Sequence, residues 1–366
     1  MQIYFAITLF VVLLGVFFPH IKESEKEKKI YLLMVTAILS ALMGLRNETV
    51  GVDTAVSNEF YIRIAQETSF FRYINIINSA PVYSLYNKFL SLLCPKVWFL
   101  NIVNALIINA CFAYFIYQYS ENAVFSIYCY ISMYFYLFAF NGTRQSLASA
   151  LCILSFCLHF KGKPLKASFL FLSAIGTHLT CIVFFPVFII CNEGKKQRLS
   201  HLKLCILAVA SLFLKYAYQN ILQLFFKIMP SYAKYGEWLE DGRFRAQGRN
   251  ILVSIFYMFF LMLFISAIWS RHANINKTKT YWCLILPSFI GISMGLLFFK
   301  NALISGRVIL YFTCFMIVIF PNLVEQFNNR AKFLIYSAIG FCLLFLLYYQ
   351  LHINYAGVVP YQFFWE

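Results

Sequence analysis

The chain has 366 residues, of which 61% are hydrophobic and only 12% charged, and it carries a net charge of +16 with a mean hydropathy of +0.73. A soluble domain carries about a quarter charged residues, so a water-soluble globular protein is excluded and the bilayer is the natural solvent for most of this sequence. The positive excess points to anionic partners. Because the basic residues sit in short stretches between apolar runs rather than on one face, it argues against nucleic acid and for lipid head groups or a phosphorylated substrate.

The expected fold class is an all-α polytopic integral membrane protein of about 10–12 transmembrane helices, forming one membrane domain over 1–366. The first apolar run, Ile3–Phe18, has no basic leader and no small-x-small cleavage site, and its positive charges follow it at Lys22, Lys26, Lys28 and Lys29. It reads as a retained helix rather than a secretory signal. Further spans are expected at Ile30–Leu45, Trp98–Tyr117, Val124–Phe140, Ser146–Phe160, Leu204–Tyr218, Ile251–Trp269, Trp282–Phe299, Val308–Pro321 and Phe333–Leu351. Most of the eleven cysteines fall inside these runs and read as helix filler. No linker and no internal repeat of the kind that marks many transporters is visible.

Two stretches are ambiguous. Pro81–Cys94 is short and contains Asn87 and Lys88, so it reads as a helix lying along the membrane surface. Ala167–Ile190 is long enough to cross but carries Gly176, Thr177 and His178 in its middle. With the amino terminus outside, the basic stretches at 22–29, 161–166, 191–203, 271–280 and 324–332 all fall inside if 167–190 enters and leaves on one side, as a re-entrant hairpin with His178 near its tip. If both stretches cross instead, Lys161, Lys163 and Lys166 lie outside, so the lysine and arginine bias favours the hairpin. The outer side then carries fourteen Lys/Arg against eight acids, an excess that runs against the usual bias and suggests outer cations with a task.

Most of those cations lie in two long outer segments, 46–97 and 219–250, expected as periplasmic loops. Loops of such length are usually functional or disordered. The second contains Tyr232, Tyr235, Arg243, Arg245 and Arg249. Its aromatics suit either interfacial anchoring or stacking on sugar rings, and its arginines either a pyrophosphate grip or a solvated charge run.

The motif content narrows the chemistry. The chain has no Walker A loop, no Asp-x-Asp pair, no His-Glu-x-x-His, no Cys-x-x-Cys and no dinucleotide fingerprint. No metal or cofactor is expected, so charge on a phosphorylated lipid falls to arginines. Phe140-Asn-Gly-Thr-Arg-Gln-Ser-Leu147 puts Arg144 at the start of a helix. Asn141 or Thr143 can cap that helix, its free N–H groups face the same anion, and Gln145 adds a neutral donor. A snorkelling helix-end arginine is the plainer alternative. Arg46 opens the first outer segment, followed by Asp53, which can act as general base, as partner of Arg46 or as turn residue. His178 lies between Thr177 and Thr180 and suits proton transfer near neutral pH. Arg307 with Tyr311 repeats the setting of Arg144.

Taken together, Gly44-Leu-Arg46 with Val50-Gly-Val-Asp-Thr54 and Tyr61, Thr143-Arg-Gln145 with Ala148, Thr177-His178, Arg307 with Tyr311, and the ending Pro360-Tyr361 resemble the EpsG-like branch of the Wzy-type O-antigen and exopolysaccharide polymerases of bacterial inner membranes. Leu179-Thr-Cys181 stands where that family often has a Ser-Ala pair. The resemblance implies a GT-C-like fold and a metal-independent glycosyltransferase that joins undecaprenyl-pyrophosphate-linked repeat units at the periplasmic face. It also implies a Wzz-type chain-length regulator as partner. On this account Arg46, Arg144 and Arg307 neutralise pyrophosphate, and His178 or Asp53 deprotonates the acceptor. A lipid-linked oligosaccharide flippase and an O-antigen ligase are the alternatives.

Overall fold

Every regular segment among the described residues is helical, and the one extended pairing there is a single antiparallel bridge between Arg46 and Phe363. The computed structural model describes residues 1–77, 80–196, 249–270, 275–299, 301 and 304–366, with six helical positions between 213 and 227. The expected span at 204–218 lies largely outside them.

The helices begin where local chemistry starts them. Helix α1 is Gln2–Leu14. Helix α2, Glu25–Gly44, is capped by Ser24, whose Oγ accepts from the Glu27 N–H at 3.2 Å, and has Glu25 and Glu27 in its first turn. Helices α3 (Thr54–Gln66), α4 (Phe70–Asn75) and α5 (Pro81–Leu93) follow, α5 opening on a proline, whose missing N–H costs nothing in a first turn. The first outer segment is therefore folded into three helices rather than left as a long loop. Helix α6, Val97–Tyr119, precedes α7 (Ala123–Ser132), which Asn122 caps, and α8 (Phe135–Asn141). The expected span at 124–140 is bent by 43° between α7 and α8, where Tyr134 takes a left-handed φ of 76°. A non-glycine residue holds that conformation only when its surroundings insist. Helices α9 (Thr143–Phe160) and α10 (Pro164–Thr177) come next.

Helices α11 (Phe185–Lys196), α12 (Arg249–Ser270) and α13 (Ile275–Leu297) are followed by a π-helical turn at Ile304–Val308. The short α14 (Leu310–Thr313), α15 (Met316–Val324) and α16 (Asn329–His352) complete the chain. Four helices among the described residues are long and apolar enough to cross a bilayer, namely α6, residues 251–268 of α12, residues 280–297 of α13, and α16. Two bent pairs, α7 with α8 and the 306–313 segment with α15, raise this to six. The protein is a polytopic all-α membrane protein, with α1, α10 and the 179–189 stretch as shorter apolar helices.

The chain divides into two compact units, Met1–Cys181 with Phe320–Glu366, and Ile182–Ile319. In the first, α6 packs between α2 and α9, and α9 packs on α10. Gly44 lets α2 approach α6 closely, since a Cβ there would stand 2.7 Å from the Ile102 Cα. One chain of buried polar groups is paired across this core: Ser40 Oγ donates to the Ala105 carbonyl, Asn109 Nδ2 to Ser40 Oγ, and Tyr130 OH to Asn109 Oδ1. In the second unit α13 packs against α11, α12 and α14. Gly291 seats against Phe312, and Gly295 against Ser254.

Helix α5 is amphipathic in an unexpected sense. Ser84, Asn87 and Ser91 are buried, while Phe89, Leu92 and Leu93 are exposed. Lys88 reaches the last carbonyls of the α3 region, donating to Ile64, Ala65 and Glu67 at 3.2, 3.1 and 2.7 Å. The polar residues that suggested a surface helix face the protein, and the apolar face is turned outward.

Candidate functional site around Arg46 and the start of helix α9

Residues 45–54, the α8–α9 junction and the carboxyl-terminal segment meet at one place. The Asn47 N–H donates to the Gln362 carbonyl at 2.9 Å, Phe364 to Leu45 at 2.8 Å, and Gly51 to Gly357 at 2.8 Å. On the other side, Thr54 Oγ1 donates to the Phe140 carbonyl at 3.0 Å. Gly51 is required between them. Its φ is +98°, and an added Cβ would lie 2.4 Å from the Phe140 oxygen. Tyr4 of α1 closes the assembly, donating to the Val358 carbonyl at 2.7 Å and meeting Phe140 and Tyr361 edge to face.

Arg46 is at the centre and 2% exposed. One guanidinium nitrogen donates to the Met43 carbonyl, and the other lies 3.3 Å from both the Phe140 carbonyl and Thr143 Oγ1. The guanidinium also sits 5.4 Å from the Phe140 ring centre. Its Nε is buried without a partner, and no carboxylate pairs with it among the described residues. Asp53 is therefore not its counter-ion. Burial pulls the Arg46 pKa down from its ordinary value to about 10, with Tyr361, Tyr136, Tyr4 and Tyr83 offsetting part of the effect. The group remains cationic at neutral pH. A buried, hydrogen-bonded cation with no anion of its own is a costly arrangement that an incoming anion relieves.

Helix α9 begins beside it. Its N-cap is Gly142 with no side-chain cap, because Asn141 and Thr143 are both engaged elsewhere. Asn141 Oδ1 accepts from the Asp53 N–H at 2.9 Å, and Thr143 Oγ1 donates to the Ala139 carbonyl at 3.0 Å. The first-turn N–H groups of an 18-residue helix are thus left without a side-chain cap. Arg144 is half-buried and has no hydrogen-bond or ion-pair partner among the described residues. Gln145 and Ser146 behind it are buried. Asp53 is exposed at the start of α3. Two cations, one deep and one half-exposed, and an uncapped helix start share one corner, which is an arrangement suited to a phosphate-bearing ligand.

His178 follows the last residue of α10 in extended backbone, φ −153° and ψ 106°, with its Nδ1 2.7 Å from Thr180 Oγ1. The helix is thus broken at His178, between α10 and the 3-10 turn that begins at Leu179. The preceding turn seats on α5, since a Cβ on Gly176 would lie 2.2 Å from Val82. The next residue of α5, Tyr83, has its OH 3.4 Å from Ser57 Oγ on α3. Arg307 lies in the π-helical turn and Tyr311 is buried in α14, both in the second unit. Arg249 opens α12, whereas Tyr232, Tyr235, Arg243 and Arg245 lie outside the described residues. Among the described residues no three His, Cys, Asp or Glu side chains come together as a metal-holding group.

The family model described as the EpsG family matches residues 29–363, nearly the whole chain. The chain belongs to the EpsG family. No curated protein and no solved structure matches it. EpsG is a Wzy-like polymerase-type family, and membership supports a polysaccharide-polymerase-like role in general. In this EpsG-family protein the short stretches Leu45–Thr54, Asn141–Gln145 and Val358–Phe364, widely separated in sequence, are held together in space. Sequence reasoning singled out Phe140 and Thr143 only as the lead-in to Arg144, and missed them, with Met43, as contacts of Arg46.

Proposed function

We propose that this protein is an O-antigen or exopolysaccharide polymerase that joins undecaprenyl-pyrophosphate-linked repeat units by metal-independent glycosyl transfer at the periplasmic face of the bacterial inner membrane. The observation that carries the reading is Arg46, a buried guanidinium with an unbonded Nε and no carboxylate among the described residues, set against the uncapped start of α9 that bears Arg144. Such a corner favours a dianionic pyrophosphate over a neutral ligand.

In the proposed reaction, an acceptor hydroxyl on one lipid-linked unit attacks the anomeric carbon of a glycan on another. The bond from that carbon to the pyrophosphate oxygen breaks, and the lipid pyrophosphate leaves with the electron pair. Arg46, Arg144 and the α9 N–H groups stabilise the charge that grows on the departing oxygen. The acceptor proton passes to His178, oriented through Nδ1 by Thr180, or to the exposed Asp53. Arg307 and Tyr311, with Arg243, Arg245, Arg249, Tyr232 and Tyr235, complete the proposed substrate-binding set, and a Wzz-type chain-length regulator is the proposed partner.

A deletion strain tests the reading. Lipid A core carrying a single repeat unit is the outcome for a lost polymerase. Core with no repeat supports a ligase instead, and repeat units retained on the cytoplasmic side support a flippase.

A further inference from the structure

Among the described residues seven buried side-chain polar atoms have no hydrogen-bond partner, and four of them lie on two facing helices: Ser84 Oγ, Asn87 Nδ2 and Asn87 Oδ1 of α5, and Asn104 Nδ2 of α6. Ser84, Asn87 and Asn104 are each 0% exposed. Around them Tyr86 OH donates to Asn104 Oδ1 at 2.9 Å, and Asn101 Nδ2 lies 3.5 Å from Asn58 Oδ1 on α3. An amide with both polar ends unsatisfied in a protein interior is costly, and natural proteins keep few of them unless something else fills the bonds. The opposite face of α5 is apolar and exposed, with Phe89, Leu92 and Leu93 outward. The helix thus turns its polar side inward, against the pattern that water selects.

The chemistry of the cluster narrows what it holds. It consists of amides and hydroxyls with no charged side chain among the unsatisfied atoms, which suits a neutral hydrogen-bonding partner better than an ion. A lipid tail would leave every one of these groups unbonded. A sugar ring offers hydroxyls that donate and accept in turn, which is what a buried amide with a free Nδ2 and a free Oδ1 matches. Tyr83, one residue before Ser84, has its OH 3.4 Å from Ser57 Oγ on α3, and the first residue of that helix, Thr54, donates to the same Phe140 carbonyl that Arg46 contacts, so the cluster adjoins the corner assigned above to pyrophosphate.

We propose that Ser84 and Asn87 of α5 with Asn104 of α6 form a glycan subsite that hydrogen-bonds the hydroxyls of the sugar nearest the lipid pyrophosphate. This rests on the reading of Arg46 as a pyrophosphate ligand. The subsite recognises the repeat unit and takes no part in the proton transfer.

The test uses the full chain in detergent and two probes: undecaprenyl pyrophosphate without sugar, and lipid-linked oligosaccharide extracted from cells deleted for this gene. The wild-type chain is expected to bind the glycan-bearing probe more tightly than the sugar-free one. Asn87→Leu is expected to lose that preference by ~10-fold or more, while binding the sugar-free probe as wild type does. Its thermal midpoint is expected to hold or rise, because an orphan amide is replaced by an apolar side chain. Ser84→Ala, a smaller change, is expected to weaken the preference in the same direction. Retention of the full preference by both variants, the result if the amides hold only internal water, overturns the proposal. So does a wild-type chain that does not distinguish the probes. Equal binding of the sugar-free probe by wild type and Arg46→Gln instead overturns the pyrophosphate reading, and with it the placement of this subsite.

Discussion

At the scale of single residues, Arg46 and Arg144 differ in burial, the first enclosed and the second half-buried. Arg46 is tied to Met43, Phe140 and Thr143, so it is part of the local structure as well as the proposed pyrophosphate ligand. Arg46→Lys keeps a charge but loses the planar fork that reaches three acceptors. It is expected to lower polymer formation by ~10²-fold or more with some loss of thermal stability, checked by gel profile and melting of the purified protein. Arg144 has no partner to lose among the described residues. Arg144→Ala is therefore expected to lower polymerisation by ~10²–10³ while the melting midpoint and protein level stay at wild type. Long-chain polymer at wild-type yield in this variant would remove Arg144 from the site.

At the scale of elements, the site exists because three connections are immobilised against one another. The turn at Gly51 is the tightest of these contacts, with the Phe140 carbonyl where a side chain would have to go. Gly51→Ala imposes both that collision and a left-handed backbone on an L-residue, a cost of about 1–2 kcal/mol from the backbone alone. The expected result is a lower melting midpoint and a loss of polymer that tracks it, since Arg46 and Thr143 are displaced together. The break between α8 and α9 matters for a related reason. A continuous helix through 135–160 would have no uncapped first turn beside Arg46, and Asn141 would not be free to bond the Asp53 N–H.

At the scale of the molecule, the first unit is drawn together from both ends of the chain. The segment after α16 runs back over α1 and α2, where Tyr361 OH donates to the Leu42 carbonyl at 2.8 Å and Phe363 bridges Arg46. Truncation after Ile353 is expected to abolish polymerisation while the membrane helices still insert, as read by protein level in the membrane fraction. A second tie lies at Glu325, which accepts from Lys22, from Lys332 at 2.6 Å and from Tyr336 at 2.8 Å. Burial works to raise the Glu325 pKa, but the hydrogen bonds from Lys22, Lys332 and Tyr336 prevail and hold it below its ordinary value of 4.5. A depressed carboxylate pKa stabilises the fold above the unfolded value and loses that contribution as pH falls through the folded one. The melting midpoint of the wild type is therefore expected to drop below about pH 4.5, and Glu325→Gln to sit lower at neutral pH with a smaller acid decline.

Membrane character and the long crossings were legible in the sequence because hydropathy and run length are properties of contiguous residues. The apolar runs beginning near Trp98, Ile251, Trp282 and Phe333 correspond to α6, α12, α13 and α16. The arginines were legible as costly cations at span ends, and Gly176–His178 as an interruption. Which way α5 faces was not legible: Asn87 and Lys88 look alike in a list of polar residues, yet one is buried without partners and the other caps a neighbouring helix. Nor was the company of Arg46, since Thr143 is 97 positions away and Phe363 more than three hundred. The sequence by itself determined the solvent, the helices and the charges. The tertiary structure alone decided which charge is buried without a counter-ion, because that depends on contacts between segments that no local pattern encodes.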